Sequence, residues 1–141
     1  MVTASHDEER LYAAAESLSR AEQANLRACG AEILALPTDV TVEAQVKSLF
    51  ARTVDRFGRL DILVNSSGAF DGGPIDEISL ESWAKVIGAN LTGPFLCTRE
   101  VFPVMKEAGG GRIINIGSIS AQRSRENMAP YTASKFGLWG L

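Results

Sequence analysis

The sequence has few of the residues that bind metal ions or cross-link chains. Histidine occurs once, as His6, so neither a histidine-based metal site nor a Ser-His-Asp triad is expected. The only two cysteines, Cys29 and Cys97, are far apart and form no CxxC motif. Such usage is typical of a reducing compartment, with both thiols buried as small hydrophobic side chains. We therefore expect a cytoplasmic protein without a metal site.

Long apolar runs and dense positive charge are also lacking. No segment approaches the ~20 apolar residues that span a bilayer, and the first residues do not have the pattern of an export signal. The net charge is −3 and no Lys/Arg cluster occurs, which argues against nucleic acid as a partner. The 141 residues are enough for one soluble unit that buries roughly 70% of its unfolded surface.

Short apolar segments bounded by helix breakers predict strands at 32–36, 60–65 and 112–116. Because these segments are apolar throughout and alternate with helical patterns, we expect parallel pairing. Helices should then cover both faces of the sheet. The predicted fold class is α/β, with three layers.

Helical periodicity and capping residues predict the segments between the strands. A capping box at Ser5 and Glu8 opens the first helix. Apolar residues spaced by three and four define a second helix, which should end at Gly58. A long helix should start at Ser79 and reach about residue 106, with a kink or restart at Gly93-Pro94, and a last helix should begin near Tyr131.

Polar residues follow each predicted strand. They are Asp39, the segment from Asn65 to Gly68, and Ser118. In open α/β sheets, ligands bind outside the carboxyl ends of the strands. The three groups should therefore line one crevice.

Tyr131 and Lys135 lie at i and i+4, so they share one face of a helix. Taken alone, this spacing also suits an aromatic ring packed by a lysine stem. Hydride transfer at a carbonyl carbon requires a proton transfer at the oxygen, which a tyrosine performs if its pKa approaches the working pH. Lowering that pKa by about 3 units requires roughly 4 kcal/mol. One cation about 4 Å away supplies this at an effective dielectric near 20, and Lys135 is placed to be that cation.

Two further polar residues fit the same chemistry. Ser118 would hold the substrate oxygen by a hydrogen bond, and Asn90 would anchor a water that relays protons to Lys135. Ser118 is also explained as a loop hydroxyl, and Asn90 as an amide that satisfies a helix kink.

The order Asn90, Ser118, Tyr131 and Lys135 resembles the Asn-Ser-Tyr-Lys tetrad of the short-chain dehydrogenase/reductase (SDR) family. The segments "DILVNSSG" and "NLTGPF" carry the same resemblance, which runs from about Ser5 to the last residue. It implies a Rossmann-like sheet, a carbonyl or secondary alcohol substrate, and a homo-oligomer.

The resemblance also implies contacts to NAD(P). Asp39 and Val40 match residues beside the adenine ring, and Asn65 and Gly68 match the segment beside the adenosine ribose and diphosphate. Tyr131 and Lys135 would bind the nicotinamide ribose. Asn65 is equally explained as a brace within the sheet.

Part of the family pattern is missing from these 141 residues. The turn TGxxxGxG does not occur, and the C-terminal third of the family is not represented. We therefore expect residues 1–141 to form an incomplete Rossmann-like domain, inactive by itself. The family's strand order, 3-2-1-4-5-6-7, predicts a gap between the strands at 32–36 and 60–65. The segment "TASH" lacks the acidic residue typical of NAD preference, which favours NADP.

The sequence leaves the function open among related and unrelated classes. The first interpretation is a ketone reductase or alcohol dehydrogenase, with 3-oxoacyl-[acyl-carrier-protein] reductase as a close alternative. Another class is a non-catalytic chain that associates with SDR subunits through its long helices. A nucleotide-binding module without chemistry is disfavoured by the missing glycine turn.

Overall fold

The computed structural model describes residues 2–3 and 32–141. In these residues, parallel strands alternate with helices, which confirms the α/β class. The helix predicted from Ser5 lies outside the described residues. The strands are β1 (Val2–Thr3), β2 (Leu34–Ala35), β3 (Ile62–Asn65) and β4 (Arg112–Asn115).

The described strands form two separate parallel pairs. β1 pairs with β2, with Val2 opposite Leu34, and β3 pairs with β4, with Ile62 opposite Arg112. β2 and β3 are therefore not hydrogen-bonded to each other, which agrees with the gap predicted between the strands at 32–36 and 60–65. The strands predicted at 32–36, 60–65 and 112–116 were longer than β2, β3 and β4, because in the described residues each ladder extends only over the paired residues.

Helix α1 (Glu43–Phe57) ends at Gly58, as its sequence predicts. Gly58 adopts the left-handed conformation with φ of 73°, and its N–H donates to the Val54 carbonyl at 2.7 Å. This contact satisfies one of the last free carbonyls of the helix, and glycine adopts this conformation without a Cβ clash.

The long helix predicted from Ser79 is divided into two. Ser79 caps the first part by accepting from the Ser82 N–H at 3.0 Å. A five-residue π-helical turn then separates the two α-helices, so the interruption starts earlier than the predicted kink at Gly93. The elements are α2 (Leu80–Ile87), the π-turn (Gly88–Thr92), α3 (Gly93–Glu107) and, after β4, α4 (Ala129–Gly140).

The hydrophobic core lies between α1, α3 and one face of the sheet. Leu63 of β3 and Ile113 of β4 pack against it, while Ile62, Val64 and Ile114 on the opposite face are exposed. The described helices therefore cover one face of β3 and β4. Buried core residues include Leu36, Val46, Leu49, Phe50, Leu96, Val101 and Met105. In the same residues no helix is both long and apolar enough to cross a bilayer.

Cys97 is part of this core and provides a test of its packing. The residue is 4% exposed, and burial raises the pKa of its thiol from 9.0 to about 11. The folded state therefore keeps the neutral thiol while the unfolded state ionises. The contribution of this thiol to the free energy of unfolding is fully present below pH 9. It decreases by about 2–3 kcal/mol as the pH rises to 11.

Urea denaturation of the wild type and of Cys97→Ala between pH 8 and pH 11 measures this contribution. The wild type should lose more stability than the variant above pH 9. Parallel pH profiles would contradict a thiol buried in the core.

Candidate functional site

The π-turn places Asn90 at the centre of the site. The Asn90 side chain is 0% exposed. Its Oδ1 accepts from the Ala69 N–H at 2.7 Å, and its Nδ2 donates to the Ala69 carbonyl at 3.0 Å. Nδ2 also donates to the Ser134 hydroxyl at 3.0 Å. One amide thus joins the loop after β3 to helix α4.

These contacts show what the Asn90 side chain does within the described residues. Both of its N–H groups and its carbonyl oxygen are used within the protein. The side chain therefore joins a loop to a helix, and none of these bonds goes to the backbone of the π-turn, as an amide that satisfies the kink would require. Lys135 is not among its partners, and the water relay to Lys135 stays a prediction.

Tyr131 and Lys135 share one face of α4, as their spacing predicts. The Lys135 Nζ lies 5.8 Å from the centre of the Tyr131 ring, and the Phe70 ring meets the same ring edge-on with centres 5.4 Å apart. The Lys135 Nζ donates to the Ile116 carbonyl at 2.9 Å, just beyond β4. The helix and the end of the sheet are therefore tied through the lysine itself.

Lys135 is the only charged side chain that is buried within residues 32–141, at 6% exposed. No carboxylate pairs with it in this part of the chain. Buried lysines without a partner are rare, because removing an ammonium group from water is costly. Its burial and its position beside Tyr131 make Lys135 a candidate functional residue.

Ser118 lies directly beyond β4, beside α4. It precedes a short 3₁₀ turn (Ile119–Ala121), and its Oγ accepts from the Ser120 N–H at 3.2 Å. The turn packs against α4, which carries Tyr131. The Ser118 residue is half-buried, and its O–H remains available as a donor.

Two residues that were expected to bind the cofactor, Asn65 and Gly68, make contacts within the protein. The Asn65 Nδ2 donates to the Asn115 Oδ1 at 2.8 Å, across the β3–β4 pair, so Asn65 braces the sheet. Gly68 is exposed beside Asn90, where a Cβ would lie 3.0 Å from the amide oxygen. A side chain at residue 68 would press on the amide that holds the loop.

The loop that follows β2 is tied to the π-turn. The Asp39 Oδ1 accepts from the Thr41 N–H at 2.9 Å and from its hydroxyl at 2.7 Å, which shapes the loop before α1. Val40 is buried, and a Cβ on Gly93 would lie 2.7 Å from its Cγ2. A Cβ on Gly88 of the π-turn would likewise lie 3.4 Å from the Thr41 Cγ2, so the loop after β2 packs against the π-turn and the start of α3. The crevice that these loops were expected to line stays a prediction.

Sequence reasoning missed three side chains of the site. Ser134 is 0% exposed, donates to the Tyr131 carbonyl at 2.7 Å and receives the Asn90 amide. The sequence could have indicated Ser134, because a residue three positions after Tyr131 is its neighbour on the helix surface. Asn115 and Phe70 gave no local signal, because their partners are distant in the chain.

A backbone contact joins the loop after β3 to the segment before α4. The Gly73 N–H donates to the Asn127 carbonyl at 2.9 Å, and Asn127 has a φ of 58°. Asparagine tolerates this left-handed conformation better than most residues. A Cβ on Gly72 would lie 2.1 Å from the same carbonyl oxygen, whereas one on Gly73 would meet nothing within 4 Å.

These two adjacent glycines make a matched test of the contact. Gly72→Ala should destabilise the protein by about 1–3 kcal/mol, because the new methyl group must displace the Asn127 backbone. Gly73→Ala should change the stability by much less. Urea midpoints of the two variants check this, and equal effects would contradict the close approach of the loops.

The sequence profile of the short chain dehydrogenase family matches residues 3–141. The chain belongs to this family. The family and the Rossmann-like fold expected from the resemblance agree with that membership. A 3-oxoacyl-[acyl-carrier-protein] reductase of Synechocystis is 37% identical over 130 residues, which are 92% of this chain and 53% of that protein.

Solved structures support the same fold. A short-chain dehydrogenase/reductase of Burkholderia phymatum in complex with NAD has a TM-score of 0.85 at 32% identity, and covers 99% of this chain and 47% of its own. An F189W actinorhodin polyketide ketoreductase with NADPH has a TM-score of 0.83 at 35% identity. The match covers 99% of this chain and 51% of the ketoreductase chain. The chain spans about half the length of the curated relatives it matches.

Proposed function

We propose that the protein is an NAD(P)-dependent oxidoreductase of the cytoplasm that interconverts a carbonyl compound and a secondary alcohol. The observation that carries this proposal is the buried, carboxylate-free ammonium group of Lys135 beside the Tyr131 ring. A cation at this place favours negative charge on a neighbouring phenol oxygen. A phenol that gives up and regains its proton is what carbonyl reduction requires.

The residues present fit the nicotinamide half of the cofactor. An ammonium group has three N–H donors, and the Ile116 carbonyl takes one from Lys135. In the described chain Lys135 has no other hydrogen-bond acceptor, so two donors remain for ribose hydroxyls. Asp39, Val40, Asn65 and Gly68 would lie towards the adenosine. When bound, the nicotinamide supplies or accepts the hydride at the substrate carbon.

The chain's own residues supply the proton chemistry. The Ser118 O–H donates to the substrate oxygen and orients the carbonyl. The Tyr131 hydroxyl gives its proton to that oxygen during reduction and takes it back during oxidation. The Lys135 charge stabilises the phenolate left behind. Asn90 keeps the loop after β3 and α4 in register through Ala69 and Ser134.

NADP is the proposed preferred cofactor. β1 pairs with β2 in parallel, as the family's second strand would, and no acidic residue occurs in the segment "TASH" at its end. An acidic side chain there would bind the ribose hydroxyls of NAD and repel the 2′-phosphate of NADP. Solved relatives contain either nucleotide.

The test is cofactor oxidation by the full protein in which the chain occurs. NADPH consumption, followed by its absorbance, should depend on an added ketone and should decrease by about 10²-fold in Ser118→Ala. Ketone-independent rates, or equal rates in both proteins, would contradict the proposal. 3-Oxoacyl thioesters, which the named Synechocystis relative suggests, belong among the carbonyl compounds assayed.

The isolated 141-residue chain gives a separate prediction. Its sequence contains no TGxxxGxG turn, and a glycine-rich turn between a strand and a helix supplies much of the pyrophosphate binding in this fold. Fluorescence titration with NADPH should therefore show no binding tighter than millimolar. Micromolar binding would mean that other residues replace the turn.

A second candidate function is association with other subunits of the family. Exposed apolar side chains on α3 and α4 favour it: Phe95, Phe102, Phe136 and Trp139. Leu91 and Phe95 also line a shallow apolar depression with Gly137 and Leu141. Trp139→Glu should then lower the oligomeric state in analytical ultracentrifugation, while an unchanged mass distribution would exclude this face.

A further inference from the structure

Phe70 presents an apolar ring at the reaction centre. Its side chain is 64% exposed, although its ring meets the Tyr131 ring edge-on at 5.4 Å. Tyr131 is the proposed proton donor, so a substrate carbonyl within its reach also lies beside the Phe70 ring. An exposed phenyl group at such a place offers a flat apolar surface to part of the substrate.

The segment that carries Phe70 is held at both ends. Asn90 bonds both the N–H and the carbonyl of Ala69, at 2.7 and 3.0 Å. Three residues after Phe70, the Gly73 N–H donates to the Asn127 carbonyl at 2.9 Å, and Gly72 leaves no room for a side chain there. The ring is therefore placed before a substrate arrives, and little conformational entropy is lost on contact.

We infer that Phe70 determines specificity at the proposed site by selecting carbonyl compounds with a flat aromatic or conjugated group next to the carbonyl. This inference rests on the proposed function, because it places the carbonyl at Tyr131 and Ser118. A ring that stacks or meets Phe70 edge-on gains contact that a small polyhydroxy ketone does not. Gly72 acts as a positioning residue, since it allows the approach to Asn127 that holds the segment.

The experiment uses two ketone probes, acetophenone and dihydroxyacetone, with the isotopically labelled full protein, as in the test of the proposed function. NMR chemical shifts of Tyr131 and Ser118 report the binding of each probe. Acetophenone should bind more tightly, and Phe70→Ala should weaken it by about two- to tenfold. Dihydroxyacetone binding should not change. Phe70→Trp should keep the preference, because it restores an aromatic surface.

Phe102→Ala is the matched control, since Phe102 is 62% exposed but lies on α3. It should leave both affinities as in the wild type. Gly72→Ala should reduce acetophenone affinity and shift the Phe70 ring signals, whereas Gly73→Ala should do neither.

Each outcome has one meaning. If both ketones shift Tyr131 and Ser118 equally, or if Phe70→Ala affects neither, the role of Phe70 is refuted while the proposed function stands. If neither ketone shifts Tyr131 and Ser118, the carbonyl site itself is refuted, and the role of Phe70 with it.

Discussion

Tyr131→Phe should lower kcat of the full protein by about 10³-fold, because general acid–base catalysis contributes about 10²–10⁴-fold. The change removes the hydroxyl and keeps the ring. The edge-on contact with Phe70 and the position of the Lys135 ammonium over the ring need only the ring. Cofactor affinity should change far less than kcat, because Lys135 keeps its donors for the nicotinamide ribose when the Tyr131 hydroxyl is removed.

The control is Tyr12→Phe, the same change at the other tyrosine of the sequence. Steady-state kinetics and a nucleotide titration are measured for both variants. If Tyr131→Phe kept its turnover, the hydroxyl could not be the proton donor. If both variants lost turnover, the effect would not be specific to Tyr131.

Asn90→Ala should destabilise the protein by about 3 kcal/mol, the largest single effect expected on folding. The side chain is 0% exposed and makes three hydrogen bonds. Truncation leaves the Ala69 N–H and carbonyl and the Ser134 hydroxyl without this partner. Buried polar groups left unbonded cost about 1–3 kcal/mol each, although relaxation recovers part of that sum.

Asn115→Ala is the comparison for this prediction. Asn115 is half-buried and accepts one side-chain hydrogen bond, from Asn65, so about 1 kcal/mol is expected. Urea denaturation with an unchanged m-value measures both. Equal losses in the two variants would show that Asn90 does not join the loop to α4.

The sequence predicted the elements whose limits depend on local residues. Helix α1 ends at Gly58 because a left-handed terminal residue is cheapest for glycine, and Ser79 caps α2 through its own hydroxyl. The i, i+4 spacing of Tyr131 and Lys135 was sufficient to place both on one helix face. The tetrad was assigned from the order of its residues and from the family resemblance, and its catalytic role stays a prediction.

The π-turn could not be predicted, because distant residues stabilise it. The break was expected at Gly93-Pro94, since Pro94 has no N–H for the α-helical bond to the carbonyl four residues earlier. The structure places the break from Gly88 onward, where Asn90 turns towards Ala69 and Ser134. Those partners are 21 and 44 residues away in the chain.

The ends of the strands and the surroundings of Tyr131 also depend on distant contacts. A strand continues only where a neighbouring strand bonds it, so the apolar segment at 32–36 did not determine the length of β2. The contact between Phe70 and Tyr131 depends on two loops that are anchored by Asn90 and Asn127. No pattern along the sequence reports such anchoring.

Deuterium transfer tests the central claim most directly. The full protein is supplied with NADPH that carries deuterium at the transferable position of the nicotinamide C4 and with a ketone, and the alcohol is analysed by mass spectrometry. The account predicts one deuterium on the carbinol carbon, formed by the wild type and lost with Tyr131→Phe. Alcohol without deuterium, or equal deuterated product from both proteins, would contradict it.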